Sequence, residues 1–183
     1  MRAALALLLA CSACSSCGVE PQPESARTVA AFEVPLPAAA EREEFLALLR
    51  QEAESDGFHV DAANSDELQQ LSRLTPMTIH ATVWRGEDDE ERVATIIDQE
   101  DHLGRAWIMF AKGEQPERVA RFRERAMRRI RQRWPATLSL PIMPTGAIPN
   151  PYQLQRTVEG YKLRPEAAPD YQVSPDSPLI ARD

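Results

Sequence analysis

Apolar side chains recur along this chain with two different periods. Between residues 38 and 55, Phe45, Leu48, Leu49 and Ala53 repeat at i, i+3, i+4 and i+8, which puts them on one face of a helix. Glu41, Glu43 and Glu44 stand in its first turn, where the helix dipole favours negative charge, and Gly57 is placed to stop it. A second helical pattern runs from Pro116 to about Arg133, with Val119, Phe122, Ala126, Met127 and Ile130 as its apolar stripe. Proline suits the first turn, and Pro135 ends the pattern. Between the two helices the period shortens to two. Residues 78–84 put Ile79, Ala81 and Val83 on one face, 92–98 bury Val93, Ile96 and Ile97 in part, and 105–111 carry Trp107, Ile108, Met109 and Phe110. The turns between them, 86–90 and 98–104, are short, so the three strands pair as an antiparallel meander. Residues 58–62 predict a further short strand, Asn64-Ser65-Asp66 caps a short helix to about Leu74, and 137–142 predict a last strand.

The expected fold is therefore α+β and two-layered: an antiparallel sheet, a β-meander of three to four strands, with helices packed on one face and the other face wetter. This single domain spans 38–143. Residues 18–37 hold Pro21, Pro23, Pro35 and Pro37 among small and polar residues and read as a spacer with polyproline character. Beyond Met143, seven prolines fall between Pro144 and Pro178 with little periodicity, so 144–183 form a Pro-rich tail, either extended against the domain or disordered.

Charge and cysteine content narrow the function classes. The net charge of −7 over 183 residues argues against a general nucleic-acid binder. All three cysteines lie in the first 17 residues, so the folded domain has no disulfide, no cysteine-ligated metal and no thiol nucleophile. Arg2 followed by the apolar run 3–10 has the form of a signal segment too short to span a bilayer. It ends Leu8-Leu9-Ala10-Cys11, which resembles the lipobox of bacterial membrane lipoproteins, with Cys14 as the alternative site. That resemblance implies a signal peptide over 1–10, acylation of Cys11, and a lipidated N-terminus and linker over 11–37 that ties the domain to a membrane. The residue after the cysteine is Ser12 rather than aspartate, which in that family implies the outer membrane, with the domain facing the periplasm. A plain secretory signal is the simpler alternative. The spacing Cys11, Cys14, Cys17 also has ferredoxin-like form, but a fourth cysteine is missing.

Candidate chemistry is thin. Asp98-Gln99-Glu100-Asp101-His102 gathers carboxylates beside a histidine, a set that serves acid–base or cation chemistry, although a polar hairpin loop ending at Gly104 accounts for it more simply. His80 shares a strand face with Thr78, Thr82 and Trp84, where it could meet His59 or His102. There is no Gly-x-Ser-x-Gly, Ser-x-x-Lys, phosphate-cradling glycine loop or His-Glu-x-x-His. No catalytic residue, metal ligand or cofactor is assigned. Arg118, Arg121, Arg125 and Arg129 fall near one another on the second long helix, a stripe able to take an anionic headgroup or an acidic envelope partner, or to serve simply as a solvated helix face. The proline-flanked segment 140–146 reads as a protected sheet edge, with a partner-binding strand as the alternative. Together these features point to a non-enzymatic envelope lipoprotein with a binding or assembly role; a tethered immunity or inhibitor-type protein and an envelope hydrolase using the Asp98–His102 loop are the alternatives.

Overall fold

A computed structural model describes residues 23–86, 90–98 and 100–181. Cys11 and Cys14, with the signal and lipobox readings that rest on them, lie outside these residues. In chain order the elements are β1 (Thr28–Pro35), α1 (Ala39–Glu54), β2 (Phe58–Ala62), α2 (Ser65–Leu71), β3 (His80–Arg85), β4 (Glu91–Ile97), β5 (Arg105–Ala111), α3 (Pro116–Arg133), β6 (Leu138–Ser139), β7 (Leu154–Thr157) and β8 (Gly160–Leu163). The fold is α+β, built on an antiparallel sheet with helices packed against it.

The β3–β4–β5 meander forms where the two-residue period places it, and the sheet extends beyond it to six strands in the order β2-β3-β4-β5-β1-β6. The β4 strand carries a bulge opposite Val83 and Trp84. The extra residue shifts the alternation by one, so Val93 joins the core while Arg92 stays exposed. Asn64 caps α2 by accepting from the backbone N–H groups of Asp66 and Glu67, and Glu67 accepts from the Asn64 N–H in return. At α1 the Glu41 carboxylate accepts from the Ala38 N–H. Phe45, Leu49 and Ala53 of α1, and Val119, Phe122, Ala126 and Ile130 of α3, pack on Val34, Val83, Ile96, Ile108 and Phe110 of the sheet. Edge-to-face ring pairs Phe58–Phe122 and Phe110–Phe122, at 5.3 and 5.9 Å, bind α3 to β2 and β5.

Two expected boundaries change. Residues 28–35, read as part of the spacer, form β1, the strand that completes the sheet between β5 and β6. Its alternation, with Ala30, Phe32 and Val34 toward the helices and Ala31 and Glu33 on the opposite face, is hidden by small residues and by the prolines that flank it. The Pro-rich residues 144–181 are ordered. They pair as the β7–β8 hairpin, gather their own apolar cluster of Met143, Leu163, Ala167, Ala168, Val173 and Ile180, and cover part of the sheet face remote from α1 and α3. Leu140 and Leu154 pack there on Ala31 and Trp107, so this segment adds a third layer over part of a face expected to be wet. The sheet ends at β6, which pairs with Phe32 and Glu33; the proline-flanked residues 140–146, expected as the edge, follow it and form no strand, with the Leu140 N–H donating to the Ala31 carbonyl.

Candidate functional site

One of the buried carboxylates lies between the sheet and the C-terminal layer. Glu33 of β1 faces Trp107 of β5 directly across the antiparallel ladder. It is only 6% exposed. A charge placed there needs partners, and it has them. The Trp107 indole donates to its Oε2 at 3.1 Å, the Tyr161 hydroxyl of β8 donates to its Oε1 at 2.9 Å, and the Arg105 guanidinium stands 3.8 Å away. Arg105 also donates to the Tyr161 hydroxyl at 3.3 Å and to the Asp101 carbonyl at 3.0 Å. Burial raises the Tyr161 phenol above its ordinary value, reinforced by the Glu33 carboxylate that holds its proton.

Above this floor opens a cleft of about 270 Å³. Asp101, Arg105 and Trp107 come from the sheet side, and Pro151, Tyr152, Leu154 and Tyr161 from the C-terminal layer. The turn holding Asp101 meets the turn holding Tyr152, so neither layer forms the cleft alone. Tyr152 follows Pro151 and accepts a hydrogen bond from the Asn150 side chain at 3.2 Å, yet stays 68% exposed.

The Asp98–His102 cluster is divided by the fold. Asp98 is fully buried and accepts from the Thr78 N–H, Thr78 hydroxyl, Ile79 N–H and Gly104 N–H at 2.6–3.0 Å, which makes it the knot that ties the strand turn together. His102 is buried against Trp107, the two rings tilted by 34° with centroids 4.5 Å apart, and neither ring nitrogen has a hydrogen-bond partner among the described residues. Burial lowers its pKa, and the nearby Arg105 adds to this against the pull of Asp98, Glu33 and Asp101. Asp101 alone of the three reaches the cleft rim. No group of three or more candidate metal ligands occurs among the described residues. His59 lies across from Trp84, and His80 lines a different groove beside α2. His102 instead stacks on Trp107.

The four arginines of α3 do not form one free stripe. Arg125 pairs with Glu52 and Asp56 at 3.2 and 2.7 Å, and Arg129 with Glu52 at 2.6 Å, so both clamp α3 to α1. Arg118 lies over the Phe58 ring at 5.3 Å. Arg121 is exposed on the outer face, among Glu117 and Glu124. Burial pushes the Glu52 carboxyl up, but the Arg129 and Arg125 guanidiniums outweigh that and hold it below its ordinary value.

Sequence reasoning missed Glu33, Arg105, Tyr152 and Tyr161. One signal was present: Glu33 is a lone charge inside the apolar run 29–34. No protein-family model matches the chain, and neither a curated protein nor a solved structure matches it significantly. Among the described residues no helix is long and apolar enough to cross a membrane.

Proposed function

We propose that this chain is a lipid-anchored envelope protein that binds a partner rather than catalysing a reaction, with the cleft over Glu33 as its recognition site. The cleft carries the binding part of the reading. It is a concave site with apolar and aromatic walls and a few fixed polar groups, the general make-up of ligand pockets. Arg125 and Arg129 serve the α1–α3 packing in this reading, which leaves Arg118 and Arg121, of the four candidate arginines, open to an anionic headgroup or an acidic envelope partner. The anchor rests on Leu8-Leu9-Ala10-Cys11 and its likeness to a lipobox, with acylation at Cys11, or at Cys14 as the alternative, and the domain held at the outer membrane facing the periplasm.

Metabolic labelling with an alkyne fatty acid tests the anchor. Wild-type protein takes label and fractionates with membranes, and Cys11→Ser abolishes both. Retention in Cys11→Ser with loss in Cys14→Ser moves the site by three residues. An unlabelled wild type removes the anchor from the proposal.

A further inference from the structure

The cleft's donor and acceptor set selects a class of ligand. Resting on the reading of the cleft as a recognition site, we propose that it binds a neutral sugar ring, a pyranose unit of a glycan. An anion would meet Arg105 but also the Glu33 and Asp101 carboxylates, and a cation would meet the carboxylates but also the Arg105 guanidinium. Neither charge sign is favoured. A hydroxylated neutral ring suits all three groups, because each hydroxyl both donates and accepts. Arg105 commits one N–H to the Tyr161 hydroxyl and one to the Asp101 carbonyl, and a guanidinium has five, so donors remain for ring oxygens. The Asp101 carboxylate has no hydrogen-bond donor among the described residues and sits at the rim, ready to accept from a hydroxyl.

The walls supply the other half of sugar recognition. Tyr152 is 68% exposed, follows Pro151 in the short turn at the cleft and accepts a hydrogen bond from the Asn150 side chain on its hydroxyl. Such an aromatic face covers the C–H face of a pyranose at little entropic cost. The volume of about 270 Å³ is just below the range of roughly 300 to 1,000 Å³ that encloses drug-sized molecules, so the site takes one ring of a longer chain whose remainder stays in solvent.

The test is titration of the full chain, purified in detergent micelles, with fully N-acetylated chitotetraose and maltotetraose as neutral probes, tetragalacturonate as the acidic probe and spermidine as the cationic one. Binding is read by calorimetry and by the intrinsic tryptophan fluorescence, with the Trp107→Phe variant identifying the share of the signal that comes from the cleft. At least one neutral tetrasaccharide binds, Tyr152→Ala weakens it about three- to tenfold, and Arg105→Met abolishes it. Tyr152→Ala is a surface change, so its thermal midpoint stays that of the wild type. Binding of tetragalacturonate or spermidine but of neither neutral sugar overturns the sugar assignment and leaves the recognition cleft standing. Neutral-sugar binding indifferent to both substitutions places the sugar elsewhere and overturns the proposal. Silence toward all four probes overturns the sugar assignment, and a Trp107-dependent fluorescence signal unchanged by any ligand captured from envelope extracts removes the cleft itself.

Discussion

Asp98 and His102 stand four residues apart, and burial gives them opposite characters. Asp98 collects four donors, so it is a charge that the fold has paired. Asp98→Ala strands those donors and costs roughly 3–5 kcal/mol, read as a lower urea midpoint. His102 has buried nitrogens without hydrogen-bond partners among the described residues, and its folded pKa lies below the ordinary 6.5. Below about pH 6.5 the unfolded chain takes up a proton that the folded chain refuses, so stability falls as pH drops from there toward the folded value. The steepest expected loss is about 1.4 kcal/mol per pH unit. His102→Leu keeps the packing on Trp107 and flattens this slope, which urea midpoints at pH 7.5 and 5.5 compare. The sequence displayed this loop as a polar cluster with possible chemistry. It could not show that one member faces four backbone and hydroxyl donors and another an indole, because those partners come chiefly from the residues leading into β3 and from β5.

At the scale of elements, the α1–α3 clamp is the arginine helix's main structural use. Glu52, 8% exposed, receives both Arg125 and Arg129. Glu52→Ala leaves two guanidiniums against a partly buried surface and costs about 1–3 kcal/mol, whereas Arg121→Glu, on the open face, stays within about 0.5 kcal/mol of wild type. A double-mutant cycle between Glu52→Ala and Arg129→Ala gives a coupling of about 0.5–3 kcal/mol if the clamp holds in solution. The folded carboxyl of Glu52 lies below its ordinary 4.5, so this contribution is complete above that value and is lost as pH falls through the folded one. Gly160 sets the third layer against the sheet edge: its φ is +133°, and a Cβ there would come 3.0 Å from the Ser139 carbonyl. Gly160→Val pushes the β7–β8 hairpin off β6 and lowers the melting midpoint.

Over the whole molecule, the C-terminal layer is part of the fold. It supplies Tyr152, Leu154 and Tyr161 to the cleft and covers Trp107 and Ala31 of the sheet. Truncation after Met143 uncovers that apolar surface and strips Glu33 of the Tyr161 hydroxyl. The shortened chain binds a hydrophobic dye that the full chain does not, and unfolds at lower urea concentration. A shortened chain equal to wild type in both measurements would make the layer a mere appendage.

Local pattern by itself determined the two long helices, the three-stranded meander, the short β2 strand and the α+β class. Their periods of 3.6 and two are properties of neighbouring residues, as with Phe45, Leu49 and Ala53 on α1 or Ala81 and Val83 on β3. Tertiary structure alone decided the place of β1 and the C-terminal layer. The pairing of Glu33 with Trp107 and of Tyr161 with Glu33 joins residues 74 and 128 positions apart, and neither segment has an amphipathic period of its own to announce it. It also decided which arginines of α3 remain available, since their partners sit on another helix. A signal of the kind proposed for the first residues is legible in sequence alone, because such a signal is read as an unfolded segment. The cleft exists only after three distant stretches of chain have come together.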